Sequence, residues 1–392
     1  MMISKAMSFA YNPCPCDAAY ESFATRRARC FQQRVLSFQG AAPYRAALFL
    51  VGIPRGRKTG VPHEQSLDSH SASTNEATRR RIGIMPARHS EGTDHGELTS
   101  ASLFSLDYIA PPTHVVDYVT TMYHFSCEEE TFRDVFPAAI GHIVVFPYCE
   151  GFIRFADGRE DAASESALLA PTGEAATIHV EGRFHAIGAA LSPLGWAALT
   201  GLHAGEHGNR LYPIEHHLGE EAREHAGAIA DRYRADHASV RECLDRLTDF
   251  ISANLDPVDE AHVSVIRTVN SWLASSLNPE LADLYEKLPY SQRQAQRLVE
   301  RYFGLPPVGV RRKYRALRAA IFLSLPDIAP EFEAEVKNSF YDQPHMIREI
   351  RKFAGRTPSR LTDDPESFRA EILSPTNMRE IPSLPDDLNG KG

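Results

Sequence analysis

Between residues 291 and 301 the chain sets Arg293, Gln296, Arg297 and Arg301 at steps of three and four residues. On a helix that spacing gathers three guanidinium groups and one carboxamide on a single face. A guanidinium donates two parallel hydrogen bonds, and a carboxamide donates and accepts, so both suit planar edges that offer paired acceptors and donors. Base edges are surfaces of that kind, with arginine matched to guanine and glutamine to adenine. Gln343, His345, Arg348 and Lys352 recur further along at similar steps.

The two sets belong to an internal repeat at an offset of 51 residues. Tyr290, Ser291 and Gln292 align with Tyr341, Asp342 and Gln343; Arg297 aligns with Arg348, Val299 with Ile350, and Arg301 with Lys352. Tyr302 aligns with Phe353, Gly304 with Gly355, and Pro307 with Pro358. In each copy an N-cap residue opens a helix: Ser291 with Gln294 makes a capping box, and Asp342 precedes Pro344 in the first turn. A glycine then ends the helix, and a proline three residues later prevents its resumption.

Each helix has an apolar face, Ala295, Leu298, Val299 and Tyr302 in the first and Met346, Ile347, Ile350 and Phe353 in the second. Short helices before them across tight turns give two helix-turn-helix units, whose second helix suits the major groove. Between them, residues 307–325 read as a connecting helix with Val310, Tyr314, Leu317 and Ile321 in a stripe. Arg311, Arg312, Lys313, Arg315 and Arg318 form its basic remainder, which is expected to meet phosphates. Such a helix spans roughly 28 Å, near the roughly 34 Å between successive major grooves on one face of a duplex.

These residues carry a family resemblance. Residues 262–361, above all the run Ser291-Gln-Arg-Gln-Ala-Gln-Arg-Leu and the segment from Phe340 to Pro358, resemble the DNA-binding domain of AraC-type bacterial transcription regulators. The resemblance implies two helix-turn-helix subdomains joined by a central helix. It implies base readers at Arg293, Gln296 and Arg297 and at Gln343, Pro344 and Arg348, with His345 serving where Pro344 cannot donate. It further implies promoter DNA and RNA polymerase as partners, a small-molecule effector, and a homodimer. Three departures stand out: Ser339 replaces the usual turn glycine, which predicts a positive φ there, Glu331, Glu333 and Glu335 replace more apolar residues in the preceding helix, and the first copy has Leu288-Pro289 in its turn.

The remainder must position these readers. Of 392 residues, 43% are hydrophobic, enough for two or three cores, and no apolar run is long enough for a membrane span. The net charge of −9 would argue against a polyanion partner, yet it is unevenly spread. Residues 1–98 carry +5, residues 99–261 carry −16, residues 262–361 carry +6 and residues 362–392 carry −4. Residues 1–98 are expected to be an irregular leader, which can equally be sequence upstream of the true start. Residues 362–392 are expected to be a disordered acidic tail.

Residues 99–256 read as a β-rich barrel or sandwich with C-terminal helices, giving an α+β chain overall. Strands are expected over 140–147, 151–156, 166–170, 176–180 and 184–191. Ser192 and Pro193 open a short helix closed by Gly201, and 239–255 forms a helix whose apolar stripe reads as core or as a dimer seam. Residues 256–260 mark the domain boundary. Residues 107–235 loosely resemble the sensor-like domain of one AraC-type branch, on Ala110 to Tyr118, Val135 to Ala139 and Phe184 to Trp196.

Tyr118, Tyr123, Phe125, Phe146, Tyr148, Phe152, Phe155 and Trp196 read either as a plain aromatic core or as the lining of a small-molecule pocket. Cys14, Cys16 and Cys30 give three thiols without a paired C-x-x-C, so zinc is not expected. His142, His185 and His203 form no metal motif, and Trp272 reads as core. No nucleophile elbow, phosphate loop or paired carboxylate is visible, so no enzyme activity, cofactor or catalytic residue is expected. Six irregular cysteines suggest a reducing compartment, hence the cytoplasm. The resulting expectation is a sequence-specific transcription regulator. The alternative is a ligand-binding or catalytic β-domain whose helical region serves protein interaction only.

Overall fold

The computed structural model describes residues 98–324, 328 and 330–357. The expectations for the leader, its three cysteines and the acidic tail lie outside the described residues. The described chain is α+β, with eight strands followed by helices.

The strands are β1 (Phe104–Ile109), β2 (Val119–Cys127), β3 (Thr131–Phe136), β4 (Gly141–Arg154), β5 (Glu160–Ala162), β6 (Ser166–Leu169), β7 (Ala176–Leu191) and β8 (Leu211–Pro213). They form one antiparallel sheet in the order β1-β2-β7-β4-β6-β8, with β3 on β7 and β5 on β4. The runs expected as separate strands at 140–147 and 151–156 are one long β4, and those at 176–180 and 184–191 are one long β7. Gly182, at φ +73°, lies where β7 changes neighbour from β3 to β2, so one strand serves two partners.

Ser192 caps α1 (Pro193–Thr200) by accepting the Gly195 amide, and Gly201 closes it in the left-handed region. Two short turns, α2 (Ala204–His207) and α3 (Glu215–Leu218), lead to α4 (Glu220–Arg234) and α5 (Val240–Ala253). The apolar stripe of α5 is core: Cys243, Leu244, Leu247 and Ile251 are buried with Met122, Ile187 and Ile229.

The helical lobe holds α6 (Glu260–Ala274), α7 (Leu281–Lys287), α8 (Gln292–Phe303), α9 (Pro307–Ser324), α10 (Pro330–Asn338) and α11 (Gln343–Ala354). Trp272 is fully buried and its indole donates to Glu280 O at 2.8 Å. The turn after α10 forms without a positive φ at Ser339, contrary to expectation. Its amide continues the helical bonding to Glu335 O, and its hydroxyl donates to Val336 O. Among the residues of α10, Val336 alone is buried, so this helix docks on one side chain and on the ring of Phe332 against Phe322.

The two lobes are joined at the last turn of α11. Its terminal carbonyls, which no helical amide can reach, accept from the β-lobe: Ala175 N donates to Lys352 O at 2.9 Å and Ala138 N to Phe353 O at 2.7 Å. Arg356 pairs with buried Asp134 of β3 at 2.6 Å, and Lys352 with Glu174 at 2.8 Å.

Gly304 ends α8 and Gly355 ends α11, both at positive φ, but their surroundings differ. A Cβ on Gly304 would make ordinary contacts, whereas one on Gly355 would lie 2.2 Å from Val135 Cγ1 of the other lobe. Gly304→Ala should cost about 1–2 kcal/mol for backbone strain alone, and Gly355→Ala clearly more, in denaturant unfolding. Val135→Ala should restore part of the second loss and none of the first; equal losses for both glycine variants would contradict this docking.

Candidate functional site

Helix α8 is fixed by the expected capping box, with Ser291 and Gln294 bonded to each other's backbone amides. Ala295, Val299, Tyr302 and Phe303 are buried, which turns Arg293, Gln296, Arg297 and Arg301 outward. Arg293 and Arg297 make no hydrogen bond or ion pair with other described residues. Gln296 donates to Tyr285 Oη of α7 at 3.3 Å, and Arg301 lies over the ring of Tyr302.

In α11 the Asp342 carboxylate accepts the His345 amide at 2.6 Å, and Met346, Ile350 and Phe353 are buried. Gln343 and Arg348 are exposed and make no such bond among the described residues. Tyr341, just before the helix, is 92% exposed, an aromatic ring presented beside Gln343 that the sequence reading did not single out. His345, expected as a reader, instead turns to Glu349 at 3.2 Å, and Lys352 is held by Glu174.

These exposed residues share a location. Arg293, Gln296 and Arg297 lie in the first half of α8, and Gln343 and Arg348 lie in the first half of α11. The last turns are engaged elsewhere: α11 on the β-lobe, and α8 beside α2, where a Cβ on Gly205 would lie 2.8 Å from Glu300 Cγ.

The connecting helix differs from its expected role. Its basic residues were assigned to phosphates, but most are spent inside the protein. Arg315 is buried, donates to Asn278 Oδ1, Ser339 O and Glu349, and lies over the Phe340 ring. Arg318 is 3% exposed and donates to Leu273 O in the last turn of α6 and to Ser276 O just beyond it; burial lowers its pKa to about 10. Arg311 reaches Pro279 O at 3.2 Å, and Arg312 bonds Glu349 while staying partly exposed. Lys313, which the sequence gave no reason to separate from its neighbours, is 4% exposed and donates to Ala139 O and Thr172 O of the β-lobe at 2.7 and 2.9 Å.

Glu349 is the acceptor shared by Arg312, Arg315 and His345. Burial acts to raise its pKa, but the hydrogen bonds from Arg315 and Arg312 prevail and hold it below the usual value.

The sheet encloses a cavity of about 130 Å³, and Tyr123, Phe125, Phe146 and Phe152 from the expected aromatic set line it with Leu106, Phe136 and Phe184. Tyr118, Tyr148, Phe155 and Trp196 do not. His142 lines it too, with Nδ1 3.2 Å from the Tyr123 hydroxyl and Nε2 buried without a partner. Burial, helped by the charge of Lys313, lowers the His142 pKa to about 4. Pro137, Ala138 and Ala139 also line the cavity, so its wall carries the amide and carbonyl that hold Phe353 O and Lys313.

No protein-family model matches the chain, and no curated protein matches it in sequence. It is similar to a solved structure of ToxT from Vibrio cholerae at 10% identity, over 68% of this chain and 98% of that one, with a TM-score of 0.38. A structure of wild-type ToxT from the same organism with an unsaturated fatty acid bound is similar at 9% identity, over 68% and 98%, with a TM-score of 0.36. The AraC-like transcriptional activator CuxR is similar at 12% identity, over 55% and 86%, with a TM-score of 0.25.

Glu349→Ala leaves Arg315 buried without its carboxylate and should cost about 3–5 kcal/mol of stability in denaturant titration. A loss under 1 kcal/mol would show that the cluster is solvated. His142 is neutral when folded and protonates more readily when unfolded, so it adds stability above pH 6.5 that is lost as pH falls through about 4. His142→Phe should therefore flatten that acid limb of the stability profile in part, since His124 and His217 are lowered by burial as well.

Proposed function

We propose that this chain is an AraC-type, sequence-specific DNA-binding transcription regulator, with the helical lobe reading promoter DNA and the β-lobe receiving a signal. The observation that carries this reading is the pair of capped helices whose first halves present uncommitted Arg293 and Arg297 beside Gln296, and uncommitted Gln343 and Arg348. Recognition helices contact base edges with their N-terminal residues, and here those are the residues left free. Arg301, Arg312 and the exposed Arg351 flank them as phosphate contacts; buried Arg315 is not among these.

The β-lobe's cavity is the site proposed for a small-molecule effector, because its wall is the segment to which α9 and α11 are bonded. A ligand that alters residues 137–139 alters the seating of the second reader. RNA polymerase and a second copy of the chain complete the proposed set of partners, and the protein acts on the nucleoid. No helix among the described residues is long and apolar enough to cross a membrane.

Binding of the full chain to DNA from upstream of its own gene, followed by fluorescence anisotropy over a salt series, tests the reading. A preference for one fragment over random duplex is expected, and its absence at moderate salt overturns the proposal. Arg297→Ala should weaken the preferred site by about 1–3 kcal/mol and relax one base position. Equal losses on preferred and random DNA would remove Arg297 from base reading.

A further inference from the structure

We propose that the β-lobe cavity selects a neutral, largely apolar molecule of one-ring size bearing a single oxygen acceptor, and that His142 is the donor that reads this oxygen. The inference rests on the β-lobe being the receiving domain and adds the chemical class of what it receives. Size follows from the cavity, about 130 Å³, close to the roughly 150 Å³ of an engineered apolar cavity that holds benzene. Neutrality follows from the lining, which contains no Asp, Glu, Lys or Arg, while Lys313, whose charge reaches His142, is already committed to Ala139 O and Thr172 O, so an ion would lose hydration there without a counter-charge from the lining side chains.

The single acceptor follows from the hydrogen bonds of two side chains. The Tyr123 hydroxyl has one partner, His142 Nδ1. If the tyrosine donates, Nε2 carries the imidazole hydrogen, and that N–H is the polar hydrogen this pair leaves unmatched. If Nδ1 donates instead, both the tyrosine proton and the Nε2 lone pair are stranded, so the first assignment is preferred. His142 is 8% exposed, its Nε2 is buried without a partner, and it is neutral at pH 7, so it meets a ligand as a donor and not as a cation. Gly188 secures the arrangement, since a Cβ there would lie 2.4 Å from the Tyr123 oxygen and push the hydroxyl off its place. A buried donor of this kind favours ligands that supply its acceptor over shapes that merely fill the space.

Calorimetric titration of the full chain at pH 7 with acetophenone, ethylbenzene and benzoate separates these features. Acetophenone should bind about tenfold more tightly than ethylbenzene, the scale of one buried hydrogen bond, and benzoate should not bind detectably. His142→Phe should bring the ratio of the two neutral probes near one. Tyr123→Phe, which frees the imidazole to change tautomer, should narrow it. The wild-type ratio decides the matter even if a variant fails to fold: equal affinities, no binding of either neutral probe, or a preference for benzoate overturns the proposal. The titration contains no DNA. Acetophenone binding by a protein that selects no DNA would refute the regulator and keep the cavity assignment, and the converse would refute only the latter.

Discussion

A buried cation must find acceptors, because removing it from water costs far more than apolar packing returns. Helix α9 carries three of them, Lys313, Arg315 and Arg318, and the places where each finds its acceptors determine the layout of the C-terminal half. Arg318 takes carbonyls in the last turn of α6 and just beyond it, Arg315 takes Glu349 of α11 and the turn before it, and Lys313 takes two carbonyls of the β-lobe. One helix thereby fixes α6, α11 and the β-lobe with respect to itself. None of these bonds can be lost without stranding a charge, so the linker behaves as a rigid frame.

That frame explains how a cavity and a reader helix come to share a wall. Strand β3 supplies Asp134 to Arg356, and the chain following it supplies an amide to Phe353 O and a carbonyl to Lys313. The same few residues close one side of the cavity. Coupling between distant sites requires an element that both can bias. Residues 134–139 have that position, with apolar contacts on one side and the last turn of α11 on the other.

Much of the reader architecture was legible because its determinants are local. Caps, glycine stops and apolar stripes lie within a few residues of what they control, so α8 and α11 appear in the sequence with their faces already separated. Strands β1, β2 and β3 were missed because exposed and buried positions in them do not alternate regularly, and β3 places Asp134 where a buried residue is required. Lys313, Arg315 and Arg318 were misread for a related reason: periodicity shows which side chains turn together, but the carbonyls that justify burying a cation belong to α6, α11 and the β-lobe. The cavity was legible only as an unresolved choice between core and pocket. Half of the aromatic set lines it and half does not: Trp196 belongs to α1, Tyr118 and Phe155 lie just outside strands, and the face of a strand ring such as Tyr148 depends on pairing that the sequence does not display.

The fate of the linker arginines also alters the electrostatic argument. The +6 of residues 262–361 includes Lys313, Arg315 and Arg318, which are buried, and Arg312, Lys352 and Arg356, which are held by carboxylates. The positive charge facing outward is therefore smaller than the count implies, while the other lobe carries a large excess of acid. Counterion release scales with the number of phosphates neutralised, so a protein with few free cations gains little from the backbone of DNA. On the proposed function, discrimination falls to the small set of side chains left uncommitted, Arg293, Arg297, Gln343 and Arg348, with Gln296 released from Tyr285. Weak attraction to DNA in general is compatible with strong selection among sequences, because a bidentate base contact is lost in full at a wrong base whereas a phosphate contact is not.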